Sequence, residues 1–250
     1  MIEIFTPENL IALFTLTVLE LVLGVDNVIF LAIVTQGVPL AQRNFVRKLG
    51  LGLALVGRIV MVLGVTWLLS LDQSLFMLRG HEFSIKDVIL LAGGLFLTYK
   101  AVTEIYKATE LGEEHEDNVL AAKPSLAGIA GVIAQVIVVD MVFAIDSVLT
   151  AVGLTSVTWI IVVAMSISIF VMMFFASPLA NFIEKHPSVK MLALTFLVLV
   201  GVLLTAEAFG EEIDRNYVYF AIIFSLGVEA LNFRRQANLE RQKKMGPAGL

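Results

Sequence analysis

The sequence predicts an all-α, polytopic membrane protein with seven transmembrane helices. The chain is 58% hydrophobic and has a mean hydropathy of +0.91, whereas soluble domains are roughly 45–50% apolar. Its apolar stretches repeatedly reach the ~20 residues that a helix needs to cross a bilayer. These stretches lack the alternation typical of barrel strands, and lipid offers no partners to open backbone groups. Membrane-spanning helices are therefore the expected form.

The predicted spans lie near residues 9–35, 49–71, 87–106, 126–152, 157–180, 190–209 and 217–233. If the N-terminus is outside, 12 of the 17 lysines and arginines are cytoplasmic. Of the other five, Arg79, Lys86 and Arg215 are outside, and Arg58 and Lys100 lie within spans. The positive-inside rule therefore predicts an external N-terminus and a cytoplasmic C-terminus.

Two apolar stretches, "LELVLGVDNVIFLAI" (19–33) and "VVDMVFAIDSVLTAV" (138–152), carry acids at the same six-residue spacing. At an offset of 120, the triplet Glu20, Asp26 and Asn27 aligns with the triplet Asp140, Asp146 and Ser147. Further on, "GGLFLTYKA" (93–101) aligns with "VGVLLTAEA" (200–208) at an offset of 107. The first three spans and the next three are therefore predicted to be copies of one unit.

The predicted organisation is a first three-helix repeat at 1–106, an acidic cytoplasmic linker at 107–125 and a second repeat at 126–210. The seventh helix (211–234) and a basic cytoplasmic tail (235–250) follow. Three spans are an odd number, so the second repeat enters the membrane inverted. Inverted repeats are typical of secondary transporters, whose substrate site lies near the midplane where the copies meet.

Helix geometry places part of each acidic stretch on one face. Residues seven apart share a face, so Glu20 and Asn27 align with Gly24 between them, while Asp26 lies about 100° around the helix. The second copy repeats this arrangement with Ala144 in place of Gly24. Gly24 could also allow a local break that turns Asp26 inward. The sequence does not choose between a regular and a broken helix.

Four acids within spans require an explanation. Each costs roughly 2.5–3.5 kcal/mol at the middle of a spanning helix, on the order of 10 kcal/mol in all. A structural explanation is pairing with Arg58 and Lys100, or hydrogen bonding across the bundle. Two bases cannot neutralise four acids, and Glu104, one turn from Lys100, competes for it. Ionisable residues within a membrane more often mark a functional site.

The candidate ligands all offer oxygen. The predicted metal-site residues are Glu20, Asp26, Asn27, Asp140, Asp146 and Ser147. Gln135 and nearby carbonyls could add further ligands. Oxygen sites suit Mn²⁺, Ca²⁺ or Mg²⁺, and the absence of cysteine argues against soft metals and thiolate sites. Met141 would favour manganese if it were a ligand, although helical methionines more often pack.

Four motifs resemble those of the TerC family of integral membrane proteins: "ELVLGVDNVIF", "DMVFAIDSVLTAVG", "EKHPSVKMLALTFLVLVG" and "VEALNFR". The resemblance covers nearly the whole chain. It implies export of a divalent metal, chiefly manganese, an association with tellurite resistance, and a fold of inverted three-helix repeats. It also implies that the six residues named above form the ion site, and that the protein resides in a bacterial inner membrane.

The predicted function is secondary transport: export of a divalent cation, with Mn²⁺ favoured, in exchange for H⁺ or Na⁺. The expected partners are the lipid bilayer and the metal ion, with no cofactor and no nucleic acid. The sequence does not decide whether the chain forms a homodimer. The alternative is a non-transporting scaffold or metal-handling partner in a stress-resistance complex. No nucleophile is paired with a base, so we expect no enzyme. Acids mirrored in both halves favour the transporter, because a scaffold does not need them.

Overall fold

The computed structural model describes residues 6–65, 69, 74–78, 81–111, 126–155, 157–211, 213 and 215–245. In this part the chain forms eight α-helices and one hairpin. The helices are α1 (Pro7–Leu23), α2 (Val25–Val34), α3 (Leu40–Leu63), α4 (Ile85–Tyr106), α5 (Leu126–Leu154), α6 (Thr158–Lys185), α7 (Pro187–Ala208) and α8 (Arg215–Met245). A 3₁₀ turn, Thr35–Gly37, follows α2, and a π-helical turn, Lys107–Leu111, follows α4.

Five segments of the described chain are long and apolar enough to cross a membrane: Pro7–Gly37, Ile85–Glu110, Ala127–Leu154, Thr158–Lys185 and Pro187–Ala208. The prediction of a helical, polytopic membrane protein is therefore confirmed. The predicted first span is divided between α1 and α2, and α8 extends the predicted seventh helix through most of the predicted tail. Residues 112–125 of the predicted linker lie outside the described part.

The first span is interrupted at a single residue. Gly24 ends α1 and precedes α2, and its N–H donates to the Glu20 carbonyl at 2.9 Å. The Val28 N–H in turn donates to the Gly24 carbonyl at 3.1 Å, so helical bonding continues across the interruption. A Cβ atom at Gly24 would lie 2.5 Å from Met172 Cε of α6. Glycine therefore permits close packing of the first span on α6.

Helix α3 differs from the predicted second span. It begins at Leu40, inside the predicted hydrophilic link, and its described residues end at Leu63, although the span was predicted at 49–71. Arg43, Arg47 and Arg58 are all buried on it. These charges lower the apolar average of α3, which is not among the five segments above. They face neighbouring helices, where acids are available.

A β-hairpin occupies the predicted link between the second and third spans. Strand β1 (Ser74–Leu78) pairs antiparallel with β2 (His81–Ser84), with Phe76 opposite Phe83. The two rings stack at 5.3 Å between centroids, and Phe83 also meets the edge of Phe209 at 5.5 Å. Ser84 then caps α4 through a reciprocal capping box with Asp87. The hairpin is thereby fixed at the start of α4 and the end of α7.

The main helix contacts join the first half of the chain to the second. Helices α1 and α2 pack on α6, and α5 packs on α3. Helix α4 packs along α7, where a Cβ at Gly94 would lie 2.6 Å from the Gly201 carbonyl. A Cβ at Gly201 would likewise lie 2.8 Å from the Gly94 carbonyl. Paired glycines of this kind allow close contact of membrane helices.

Candidate functional site

A buried arginine joins the two acidic stretches. Arg58 Nη1 donates to Glu20 Oε2 at 2.6 Å. Its Nε and Nη2 donate to Asp140 Oδ2 and Oδ1 at 3.1 and 2.9 Å. The side chains are at most 8% exposed. The planar guanidinium forms a two-bond fork on Asp140 while still reaching Glu20, a geometry that lysine cannot supply.

The structural explanation, pairing with a buried base, applies to Glu20 and Asp140. Glu20 and Asp140 share Arg58, so these three side chains carry a formal net charge of −1. Glu104 was expected to compete for Lys100, but in the structure it pairs with Lys107 at 2.9 Å.

Beside Arg58 lies a cavity of about 280 Å³. It is lined by Leu23, Asp26, Asn27, Arg58, Lys86, Phe143, Asp146, Ser147, Val200, Leu203, Leu204, Glu207, Glu211, Ile213 and Val218. Four of the six predicted site residues, two from each stretch, share this cavity. Glu20 and Asp140 are not in its lining. Both bind Arg58, which is part of the lining.

The neutral side chains of the two stretches, Asn27 and Ser147, form a buried polar layer together with Glu20, Arg58 and Asp140. Asn27 Nδ2 donates to Asp140 Oδ1 at 3.1 Å, and Arg58 Nη1 approaches Ser147 Oγ at 3.4 Å. Asn27 Oδ1 and Glu20 Oε1 are buried acceptors without a hydrogen-bond partner in the described chain. Buried acceptors are normally satisfied. Asn27, a residue of the cavity lining, therefore carries an acceptor that the described chain leaves unsatisfied.

The cavity offers few strong ligands. Within the described ranges, no group of three or more His, Cys, Asp or Glu side chains is placed to hold a metal. What the cavity provides is two carboxylates, Asp26 and Asp146, beside amide and hydroxyl oxygens. Hard cations such as Mg²⁺ are commonly bound by one or two carboxylates while keeping several waters. The arrangement therefore suits a partly hydrated hard cation.

Two suggested additional ligands do not reach the cavity. Met141 is 42% exposed and lies outside the cavity lining, so it gives the site no soft ligand. Gln135 Oε1 is buried without a partner in the described chain but is likewise absent from the lining. The preference for manganese therefore gains nothing from sulfur.

Sequence reasoning missed three charged residues at the cavity: Lys86 at the start of α4, Glu207 near the end of α7, and the exposed Glu211 beyond it. The repeat alignment pairs Glu207 with Lys100. This pairing gives the position of Glu207 in the repeat but does not indicate that its side chain faces the cavity. Lys86 and Glu211 border predicted links, and no spacing connects them to the acidic stretches.

The family model described as "Integral membrane protein TerC family" matches residues 5–244. The chain belongs to the TerC family. It is 45% identical over 229 residues to the UPF0053 inner membrane protein YgdQ of Escherichia coli K12, covering 92% of this chain and 94% of that relative. A UPF0053 protein of Haemophilus influenzae is 43% identical over 228 residues, covering 91% and 94%.

A longer relative, the UPF0053 inner membrane protein YoaE of Escherichia coli K12, is 37% identical over 241 residues. The match covers 96% of this chain but only 46% of YoaE. No solved structure matches. Membership of the TerC family confirms the resemblance, and this TerC-family chain is an integral membrane protein.

Proposed function

We propose that this TerC-family protein is a secondary transporter that exports a divalent cation from the cytoplasm. The observation that carries the proposal is the meeting of Asp26 and Asp146, one from each acidic stretch, in one cavity with Asn27 and Ser147. Two carboxylates balance a divalent charge. Mn²⁺ is the favoured cargo because it accepts an all-oxygen site and because the family is associated with its export.

The six predicted residues take two roles in this proposal. Asp26 and Asp146 supply charge to the cargo, and Asn27 Oδ1 and Ser147 Oγ supply neutral oxygens. Glu20 and Asp140 hold Arg58 at the base of the cavity. Arg58 is then a fixed positive charge that limits the site to one cargo ion, because a second would have to displace it from two carboxylates.

We also propose the inverted three-helix repeat, with α8 outside it. Exchanging the halves replaces the first span by α5, α3 by α6, and α4 by α7. The packing of the first span on α6 then becomes the packing of α5 on α3, and both contacts occur. The reciprocal approach of Gly94 and Gly201 is likewise unchanged by this exchange. Residues from both halves of the chain line the cavity, and carriers built of inverted repeats bind their substrate where the copies meet.

Release of the cargo removes two positive charges from the cavity that Asp26 and Asp146 line. Gathering negative charge at one site is costly, so protons or sodium ions should replace the metal before the empty carrier returns. We therefore expect nearly electroneutral exchange, with the N-terminus outside and the C-terminus in the cytoplasm. Varying the proton and sodium gradients separately in metal-loaded liposomes identifies the counter-ion.

The deciding experiment measures Mn²⁺ flux and binding by purified protein in liposomes. Asp26→Asn and Asp146→Asn should each weaken Mn²⁺ binding roughly 10- to 100-fold, since a charge-assisted contact contributes ~1.5–3 kcal/mol. Each should abolish flux while leaving the unfolding temperature near wild type. Glu110→Gln, on the exposed turn after α4, is the matched charge control.

Two outcomes would oppose transport. Wild-type protein that binds Mn²⁺ but moves none, under any gradient, would favour the scaffold. Aspartate variants that fail to fold, while Glu110→Gln folds, would give Asp26 and Asp146 a structural role.

A further inference from the structure

Helices α2, α3 and α5 enclose little space beside the Asn27–Asp140 hydrogen bond. A void of about 10 Å³ lies there, lined by Asn27, Phe30, Leu31, Leu51, Ala54, Val136, Val139 and Asp140. A single water needs about that volume, so the void is too small for a hydrated cation.

Beyond this apolar layer, two arginines bind one carboxylate. Arg43 Nη1 lies 3.0 Å from Glu184 Oε2, and Arg47 Nη2 lies 3.0 Å from Glu184 Oε1. We call these three residues the clasp. Arg47 is 1% exposed and also donates to Thr35 Oγ1 at 2.9 Å. Arg47 precedes Arg58 by 11 residues, which places it ~17 Å further along α3.

The clasp joins three element ends. Arg43 donates to the carbonyls of Gln36 and Val38, each at 2.7 Å, in the turn after α2. Both arginines belong to the first turns of α3, and Glu184 belongs to the last turn of α6. The corresponding connection in the second half, residues 155–157 between α5 and α6, contains no charged residue. The α2–α3 connection is therefore held to α6 by ion pairs, whereas residues 155–157 have no charged side chain to form such pairs.

The segment that carries Glu184 has a weak point before it. Pro178 lies inside α6, six residues upstream. Proline has no N–H to donate to the carbonyl four residues earlier, and this favours bending of a helix. The last turns of α6 can therefore move with less loss of helical bonding than a regular helix would suffer.

We propose that Arg43, Arg47 and Glu184 form the cytoplasmic gate of the carrier. This inference rests on the proposed transport function. In the conformation described, the clasp holds α3 against α6, and the cavity extends to Lys86 at the start of α4 and to the exposed Glu211 beyond α7. Cargo enters from the cytoplasm only after Glu184 separates from both arginines and the end of α6 moves away from α3.

The first test measures access and does not depend on transport. The chain has no cysteine, so Ala54→Cys, at a position 3% exposed in the void lining, introduces a single reporter thiol. A membrane-impermeant maleimide added on the Arg43 side should label it slowly. Adding Glu184→Gln should raise the rate roughly tenfold, the population change that 1.4 kcal/mol produces. Lys48→Gln removes an exposed charge next to Arg47 and should leave the rate unchanged.

The second test closes the gate without altering the clasp. Ser177 Oγ of α6 donates to Asn44 Oδ1 of α3 at 2.9 Å. A disulfide in Asn44→Cys/Ser177→Cys should stop Mn²⁺ flux and preserve Mn²⁺ binding from the cavity side, and reduction should restore flux.

Equal labelling of Ala54→Cys with Glu184→Gln and with Lys48→Gln would overturn the gate, as would undiminished flux through the oxidised disulfide. If Glu184→Gln does not fold, the disulfide test decides. If reduced protein moves no metal, the transport proposal fails, and the labelling rates still decide whether the clasp controls access.

Discussion

The two acidic stretches place their side chains alike on different backbones. The first is interrupted at Gly24, whereas the second lies within the unbroken α5. In both, the upstream acid binds Arg58 and the downstream acid lines the cavity. Six residues correspond to about 600° of helix, so the two acids of a stretch point in directions ~120° apart. The spacing, rather than the interruption, assigns the two roles.

The two halves of the chain contribute unequally to the buried ion pairs. Arg58, which the upstream acids of both stretches bind, comes from the first half. Asp140 receives two hydrogen bonds from the guanidinium, and Glu20 receives one strong bond. One base thus binds an acid of each stretch, and substitutions at these positions test how far each stretch depends on it.

The largest effect is expected from Arg58→Gln. It leaves Glu20 and Asp140 buried without their cation, which should cost about 3–5 kcal/mol of stability. Thermal unfolding in detergent measures the loss. Adding Glu20→Gln and Asp140→Asn should recover most of it, because no buried charge then lacks a partner. Lys107→Gln, which removes a half-exposed pair with Glu104, should cost under ~1 kcal/mol. A stable Arg58→Gln single variant would show that the arginine is not required.

Next come the paired glycines of α4 and α7. Gly94→Ala and Gly201→Ala should each cost about 1–3 kcal/mol, since either Cβ meets the opposite backbone. Similar losses, with the double variant costing less than their sum, would support equivalent contacts in the two halves. Gly131→Ala on α5 has open space around the added Cβ and is the control. Markedly different losses at positions 94 and 201 would weaken the symmetry.

Gly24→Ala gives the first stretch the residue that the second has at Ala144. The new Cβ meets the flexible Met172 side chain and the Glu20 carbonyl, so we expect a loss of about 1 kcal/mol. With Met172→Ala also present, the combined cost should be less than the sum of the two single changes. Strict additivity, measured by the same thermal unfolding, would mean that Met172 does not require the glycine.

The smallest effects should come from the neutral ligands. Asn27→Ala removes one cavity acceptor and one donor to Asp140, while Ser147→Ala removes a hydroxyl 3.4 Å from Arg58. We expect Mn²⁺ binding to weaken roughly 2- to 10-fold in Asn27→Ala, the effect of losing ~0.5–1.5 kcal/mol, and less in Ser147→Ala. Titration calorimetry measures both. A stronger effect at Ser147 would reverse the ranking of the two neutral ligands.

The sequence predicted the helical membrane fold because long apolar runs have few alternatives in lipid. It also predicted which acids to examine, because their spacing repeats. It did not predict that Glu20 and Asp140 would share one arginine. A count of two bases and four acids suggests separate pairs. That Arg58 binds both acids follows only from the packing of α1, α3 and α5 against each other.

Other differences arise where average hydropathy conceals buried charge or local pairing. The sequence predicted a link at the start of α3 because Arg43 and Arg47 are counted as polar, although both are buried against Glu184. It predicted a hydrophilic link at the hairpin because polar residues there lower the average hydropathy, whereas the stacking of Phe76 on Phe83 depends on the pairing of the two strands. Lys107, beyond the predicted third span, took the partner expected for Lys100.

The sharing of Arg58 also bears on how the protein is made. Glu20 and Arg58 are synthesised in the first half, before Asp140 exists. The emerging helices can therefore insert with an arginine that already has one acidic partner, while two of its donors await the second half. In the folded protein those donors bind Asp140 and tie α5 to α3 at the level of Arg58. An arginine from the first half of the chain thus holds the second half in register.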